Sequence, residues 1–481
     1  MRKIILIILA MTMCHTCVLS VGCFSQGITF TKQAQIDSFQ KHCPGCTFIQ
    51  GSVTICGDDI SNLNGLLVLT SIGGDLNIGT CYLSQQPFLH NLSGLNNLGS
   101  IGGSLNIGCG SSILLNSNIG LGTLSGLEGL TSIGADLSFE YNSALNSIAA
   151  LNHLTFLGGS NFVRGNGNLH TLAGLEGLTT FGRDLVIGGY RYGAAGLYNL
   201  TGLNNLTSIG GCIYILNTPI TSLTGLESLA TIGGDITISL TQLKNLNGLN
   251  SLTSIPGSLH IGNDDDYGGG NKLLASLSGL NALTSIGGDF WIYNNNALTS
   301  LTALNYLTFV GGNLNINGNG VLASLTGLNN LSAILGDLRI GFGGMISHGN
   351  AVLKSLSGFE GLKTLGGSLT ISYNDNLTDL SGLDHINAAT IGNIDIHNNS
   401  SLTHCEVQSI CDYLADPNGT IDISENATGC NSQAEVENAC GIVLMNKLQH
   451  YYSSLRTKYQ KQEDKHSNGL TEPSQGSMPV R

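Results

Sequence analysis

Apolar positions recur along most of this chain in one ten-residue phrase, apolar-x-x-apolar-Gly-Gly-Asp-apolar-x-apolar. It reads LTSIGGDLNI at 69–78, LGSIGGSLNI at 98–107, LATIGGDITI at 229–238, LTSIGGDFWI at 283–292 and LKTLGGSLTI at 362–371. With degenerate copies there are thirteen, the last ending at Ile396, and the shortest start-to-start spacing is 23 or 24 residues. A fixed period of this length predicts a solenoid, in which each coil buries its apolar face only by stacking on its neighbours. Within one coil, Leu63, Leu66, Leu69 and Ile72 come at every third residue and turn inward. The stretch Asp75-Leu76-Asn77-Ile78 alternates as a strand does, with Leu76 and Ile78 inside and Asp75 and Asn77 outside. Stacked strands then form a parallel sheet at roughly 4.8 Å spacing, so thirteen coils span about 60 Å. The Gly-Gly pair reads as a corner with positive φ. Asn recurs three residues beyond the last inward position, at Asn142, Asn166, Asn295, Asn319, Asn374 and Asn399, where an amide can satisfy a buried corner. A short helix over 31–41, with Thr31 as N-cap and Ile36 and Phe39 inward, covers the first coil. A second helix is expected over 442–459, followed by a polar, disordered tail.

The phrase and its L-x-G-L-x-x-L lead-in, as in Leu277-Ser278-Gly279-Leu280-Asn281-Ala282-Leu283, resemble the receptor L-domain family, relatives of leucine-rich repeats, over about 50–400. The resemblance implies a mainly β fold of the α/β-solenoid class. That fold is a right-handed parallel β-solenoid, here of about 13 coils, with short helical, disulfide-bonded caps. It implies a binding role, since family members include ligand-binding modules of growth-factor receptors and surface proteins of microbes. It also implies a cysteine-sealed end cap paired Cys405–Cys430 and Cys411–Cys440. No kinase or furin-like module follows within this sequence, so a growth-factor receptor role is not implied. The expected organisation is an export signal over 1–22, an N-terminal cap over 23–56, the solenoid over 57–400, a cysteine-rich cap over 401–440 and a tail over 441–481.

Composition sharpens this picture. Charged residues make up only 10% and Gly reaches 67, which suits tight coils with many corners and not a charged helical bundle. A net charge of −13, with no basic stripe, argues against nucleic acid as a partner. Arg2 and Lys3 precede an apolar run over 4–13, and Ser20-Val21-Gly22 offers a cleavage site, so a secreted or surface-displayed chain is expected. Contact with a membrane would come only through an N-terminal anchor, with Cys23 as a lipidated first residue one option. Thirteen cysteines fit an oxidising destination. Cys23, Cys43, Cys46 and Cys56 cluster near the start, with Cys23 and Cys46 candidates for a bridge; four cysteines allow three pairings, and the sequence does not choose. Cys43-Pro44-Gly45-Cys46 has zinc spacing but no matching second pair.

Candidate chemistry lies on the surface. Extra residues follow the strand in five coils, over 79–90, 108–122, 188–196, 262–272 and 341–352, and insertions at one point of a coil map to one edge. Cys81 and Cys109 fall in the first two and are expected to form a disulfide. Asn263-Asp264-Asp265-Asp266 is an acidic loop without EF-hand spacing. The outward strand positions are mostly small and polar, but Phe162, Tyr214, His260 and Trp291, with Tyr293 two residues on, form a candidate ligand-binding set that could stack on sugar rings or anchor a protein. A column of Asp75, Asp136, Asp184, Asp235, Asp289 and Asp337 alternates with Ser, Asn or Cys212 and reads as a structural ladder, with Cys212 a free thiol. Successive acids roughly 9.6 Å apart suit a glycosidase poorly. No nucleophile elbow, metal-binding helix motif or phosphate loop occurs. The function expected is therefore non-enzymatic binding of an extracellular protein or glycan, without a cofactor. A polysaccharide-active enzyme and a passive envelope or matrix protein are the alternatives.

Overall fold

The computed structural model describes residues 22–80, 88–108, 120–189, 196–263, 269–341, 349–442, 451–458 and 460–461. Their apolar phrases fold into one parallel solenoid. Sixteen strands, from Ile28–Phe30 to Ile421–Ser424, form a single sheet along one flank in sequence order. Setting aside these two end strands leaves fourteen coils, one more than the phrase count. The additional coil holds Phe48–Ile49 and Val53–Ile55, whose FIQGSVTI carries one glycine where the phrase has two. At roughly 4.8 Å per step, sixteen strands extend about 70 Å. The opposite flank is made of two-residue strands such as Ser71–Ile72 and Ser285–Ile286, paired in sheets of five, three and five.

Register follows hydrophobicity. Leu76 pairs with Leu105 and Leu105 with Leu137, so the inward residues form one file, fully buried. A one-residue slip would turn every one of them to solvent, which is why register is held so uniformly. The lead-in leucines, such as Leu277, Leu280 and Leu283, close the other sides of the same core.

The glycines work differently from the sequence expectation. Positive φ belongs to the lead-in glycine, for example +115° at Gly279, and not to the Gly-Gly pair. The pair is required by contact between coils. A Cβ on Gly102 would strike the Gly73 carbonyl, and one on Gly103 would strike the Asp75 carboxylate.

The ends are sealed by short helices. At the start, Gln33–Asp37 and Phe39–His42 bury Ile36 and Phe39 against the first coil. Lys32, not Thr31, is the N-cap, because the Gln35 carboxamide accepts both the Thr31 and Lys32 backbone N–H groups at 2.7 and 3.0 Å. At the finish, Gln408–Ala415 and Gln433–Ala439 pack over the last strands. Disulfides join Cys23 to Cys46, Cys405 to Cys430 and Cys411 to Cys440, with Cα separations of 6.1, 5.6 and 5.4 Å. The Cys23 sulfur is thus occupied, and the lipid thioether considered for it has no sulfur to use. Cys56 is also disulfide-bonded. The export signal and the Cys81–Cys109 pairing lie outside the described residues. Among the described residues, no helix is long and apolar enough to cross a membrane.

Candidate ligand-binding face

Outward residues of the long sheet are aligned coil by coil. Ser138, Phe162, Val186, Tyr214, Thr237, His260, Trp291, Asn315 and Arg339 pair in register in that order. Large and small side chains alternate through much of this row. The large ones cover the small, so that Val186, Thr237 and Asn315 are buried although they face outward.

This alternation divides the aromatic set. His260 and Trp291 occupy adjacent strands, and their rings stack with centroids 4.2 Å apart at 15°. Trp291 and Tyr293, two apart on one strand, stack at 5.5 Å and 24°. Phe162 stands apart with the Arg164 guanidinium 5.3 Å from its ring centre, and Arg164 reaches Glu140 at 3.7 Å. Tyr214 is isolated between Val186 and Thr237. Its hydroxyl is hydrogen-bonded to the Cys212 side chain; that bond, then burial and the charges of Asp235 and Asp184, push its ionisation well above the usual range. The structure therefore gathers His260, Trp291 and Tyr293 and leaves Phe162 and Tyr214 single. Three buried polar atoms beside the ring stack, Trp291 Nε1, Asn315 Oδ1 and Asn317 Oδ1, have no hydrogen-bond partner. Buried indole N–H groups usually find an acceptor, so these atoms carry an unmet polar cost beneath the rings.

The acidic column is a ladder of side chain to backbone. Asp75 Oδ1 accepts the Ser104 N–H at 2.8 Å, Ser104 Oγ accepts the Asp136 N–H at 3.2 Å, and Asp136 Oδ1 accepts the Ser160 N–H at 2.8 Å. Cys212 holds its place in the same way, its sulfur accepting from the Asp235 N–H at 3.2 Å and its own N–H donating to Asp184. At Ser160 the hydroxyl both donates to Asp184 Oδ2 at 3.5 Å and accepts the Asp184 N–H at 3.1 Å. Elsewhere the serine oxygen is an acceptor, because the backbone N–H groups at this corner need partners more than the solvated carboxylates do. Cys212 is a half-buried free thiol.

A second ladder lines the buried corner. Asn319 Nδ2 donates to the Ile292 and Asn317 carbonyls, and its Oδ1 accepts the Asn295 N–H. The same pattern links Asn271, Asn295, Asn319, Asn350, Asn374, Asn399 and Asn426. Asn271 and Asn350 escape a count from the strand because insertions precede them. They lie three residues before an inward leucine, Leu274 and Leu353, as Asn295 lies before Leu298, and counting backward from that leucine would have found them.

Near the C-terminal end, two carboxylates do meet. Asp395 and Asp422 pair in register, and His397 Nε2 lies 3.4 Å from Asp395 Oδ1. Burial pushes the Asp395 carboxyl up, His397 pulls it down, and Asp422 pushes it up; the net direction is upward. An acid raised in the folded state favours folding below its unfolded pKa, and that contribution fades as pH rises through the folded value. Asp422→Asn is expected to move the Asp395 titration to lower pH and to reduce the stability gained on acidification. Carboxyl-carbon NMR checks this; an unmoved Asp395 curve would show that the two charges do not interact.

Among the described residues, no group of three or more His, Cys, Asp or Glu is arranged to hold a metal ion. Residues 264–268, which contain most of the acidic loop, lie outside the description, as does most of each of the other four insertions.

Two solved structures are similar to this chain. One is the functional domain of InlJ from Listeria monocytogenes, described as including a cysteine ladder. It is 16% identical, with a TM-score of 0.27, over 72% of this chain and 66% of that one. The other is the TLR13–ssRNA13 complex, 15% identical with a TM-score of 0.27, over 84% of this chain and 66% of that one. The chain therefore spans just under two thirds of each. No family model and no curated protein matches the sequence. With TM-scores this low, the fold assignment stands on the coil geometry described above.

Proposed function

We propose that this chain is an extracellular, non-enzymatic recognition protein of the leucine-rich-repeat type, akin to receptor L-domains. It would engage a protein or glycan through the outward face of the long sheet, centred on Trp291. The carrying observation is the stack of His260, Trp291 and Tyr293 on a rigid sheet. Rigid aromatic anchors with one polar end are what binding hot spots are made of. The disulfides at both ends and the apolar run after Arg2 and Lys3 support export to an oxidising compartment. A polysaccharide-active enzyme is a weaker reading, because carboxylates of the Asp column are already engaged in holding the next coil's backbone.

The test is a glycan and surface-protein array probed with the mature chain. Trp291→Ala is expected to weaken the strongest interaction at least tenfold, since central hot-spot residues contribute about 2 kcal/mol or more. Binding to every detected partner that survives a Trp291→Ala, Tyr293→Ala double substitution would remove the proposal.

A further inference from the structure

A recess lies on the insertion-bearing edge of the solenoid, and none of its described lining residues belongs to the His260, Trp291 and Tyr293 stack. Coils through Leu137, Asn161 and Leu185, and again through Phe290, Leu314 and Leu338, advance 24 residues per strand register. The coils through Ile213, Ile236 and Leu259 advance 23. The missing residue is at the corner. Where Asn166 is followed by two residues before Leu169, Thr218 is followed only by Pro219 before Ile220, and Thr241 only by Gln242 before Leu243. Here threonine also replaces the buried asparagine of the corner ladder. Two adjacent coils are thus cut back by one residue each, about 3.3 Å of extended chain.

An open cleft of about 570 Å³ occupies this recess, lined chiefly by Tyr198, Asn217, Thr218, Pro219, Leu240 and Gln242. Tyr198 is 49% exposed, yet its ring is held: it stacks on His170 with centroids 5.1 Å apart at 24°. The His170 ring is itself fixed, with Nδ1 2.7 Å from the Gly196 carbonyl oxygen. The side-chain carboxamides of Asn217 and Gln242 are not engaged with the described residues around them. Among the described residues, the lining carries no carboxylate, lysine or arginine.

We infer that this recess binds a neutral saccharide residue. The argument is chemical complementarity. A pyranose ring offers one face of C–H bonds, which packs on an aromatic ring, and a rim of hydroxyls that each donate and accept. A carboxamide also does both, so two of them beside one aromatic plate match adjacent hydroxyls without a charge. Among the described lining residues an anionic ligand would find no cation to meet it, and a purely apolar one would bury two amides unpaired. The shallow, open form suits one or two sugar units of a longer chain.

The experiment is calorimetric titration of the mature chain with four neutral probes: maltotetraose, cellotetraose, mannotetraose and tetra-N-acetylchitotetraose. At least one is expected to bind. Tyr198→Ala should weaken that binding tenfold or more, and Gln242→Ala several-fold. Both side chains are exposed, so unchanged melting temperatures are expected and will show that the fold is intact. Tyr306→Ala, at an exposed aromatic outside the recess, should leave the affinity unchanged. Binding of none of the four probes, or binding undiminished by Tyr198→Ala, or binding weakened as much by Tyr306→Ala, would each overturn the inference.

Discussion

Asn319→Ala is expected to destabilise the solenoid by about 2–6 kcal/mol. The side chain is fully buried and sits mid-ladder. Its Nδ2 donates to the Ile292 carbonyl at 2.8 Å and the Asn317 carbonyl at 3.0 Å, while its Oδ1 accepts the Asn295 N–H at 3.1 Å. Alanine takes the side-chain partner from the Ile292 carbonyl and the Asn295 N–H in the core, at about 1–3 kcal/mol each, while the Asn317 carbonyl still accepts the Asn294 N–H. No water can approach to compensate unless the corner opens. Because coils contact only their neighbours, the damage should be local, with amide exchange rising first around Asn295 and Asn319. Asn330→Ala is the control. That side chain also bonds a carbonyl one coil away, that of Asn305, but at the exposed surface, and its loss should change stability by no more than about 0.5 kcal/mol. Urea unfolding of both variants decides the matter, and equal midpoints would mean that the buried ladder contributes nothing beyond its exposed counterpart.

The same contrast explains what could be read from the chain. Periodicity made the inward files visible, since Leu76, Leu105 and Leu137 occupy the same place in each phrase and one register satisfies them all. It could not show which glycine needs positive φ and which needs only the absence of a Cβ. Both constraints select the same residue, and the difference lies in the distance to the coil below. The first coil was missed because Gly51 stands without a second glycine, although Val53 and Ile55 turn inward like the rest. The binding face was legible as a set of residue types but not as a geometry. Whether Phe162 joins Trp291 depends on Val186, Tyr214 and Thr237 between them, and on how far large side chains lie over small ones. The recess at Tyr198 gave a weaker signal still. A one-residue shortening at Thr218 and Thr241 looks like noise in the repeat until the coils are stacked and the edge is seen to retreat.

Asn161→Leu should raise stability by about 2 kcal/mol. Asn161 occupies an inward strand position, paired in register with Leu137 on one side and Leu185 on the other, and it is fully buried. Neither its Oδ1 nor its Nδ2 has a hydrogen-bond partner. This is the reverse of Asn319: the same residue type, equally buried, but in the apolar file instead of the corner, where no carbonyl or N–H is left over to receive it. Removing an unpaired amide recovers about 1–3 kcal/mol. Filling the site with leucine adds about 1.5–3 kcal/mol of apolar burial. Against this stands crowding, at about 1–3 kcal/mol, because Phe139 already fills the neighbouring inward position of the preceding coil where others carry isoleucine. The favourable side wins, since leucine is accommodated at this position in the coils immediately before and after. Thermal and urea unfolding should both shift upward, and Asn161→Ala should fall between the two. A destabilised Asn161→Leu would show that the carboxamide is paired in solution and that this coil is built around it.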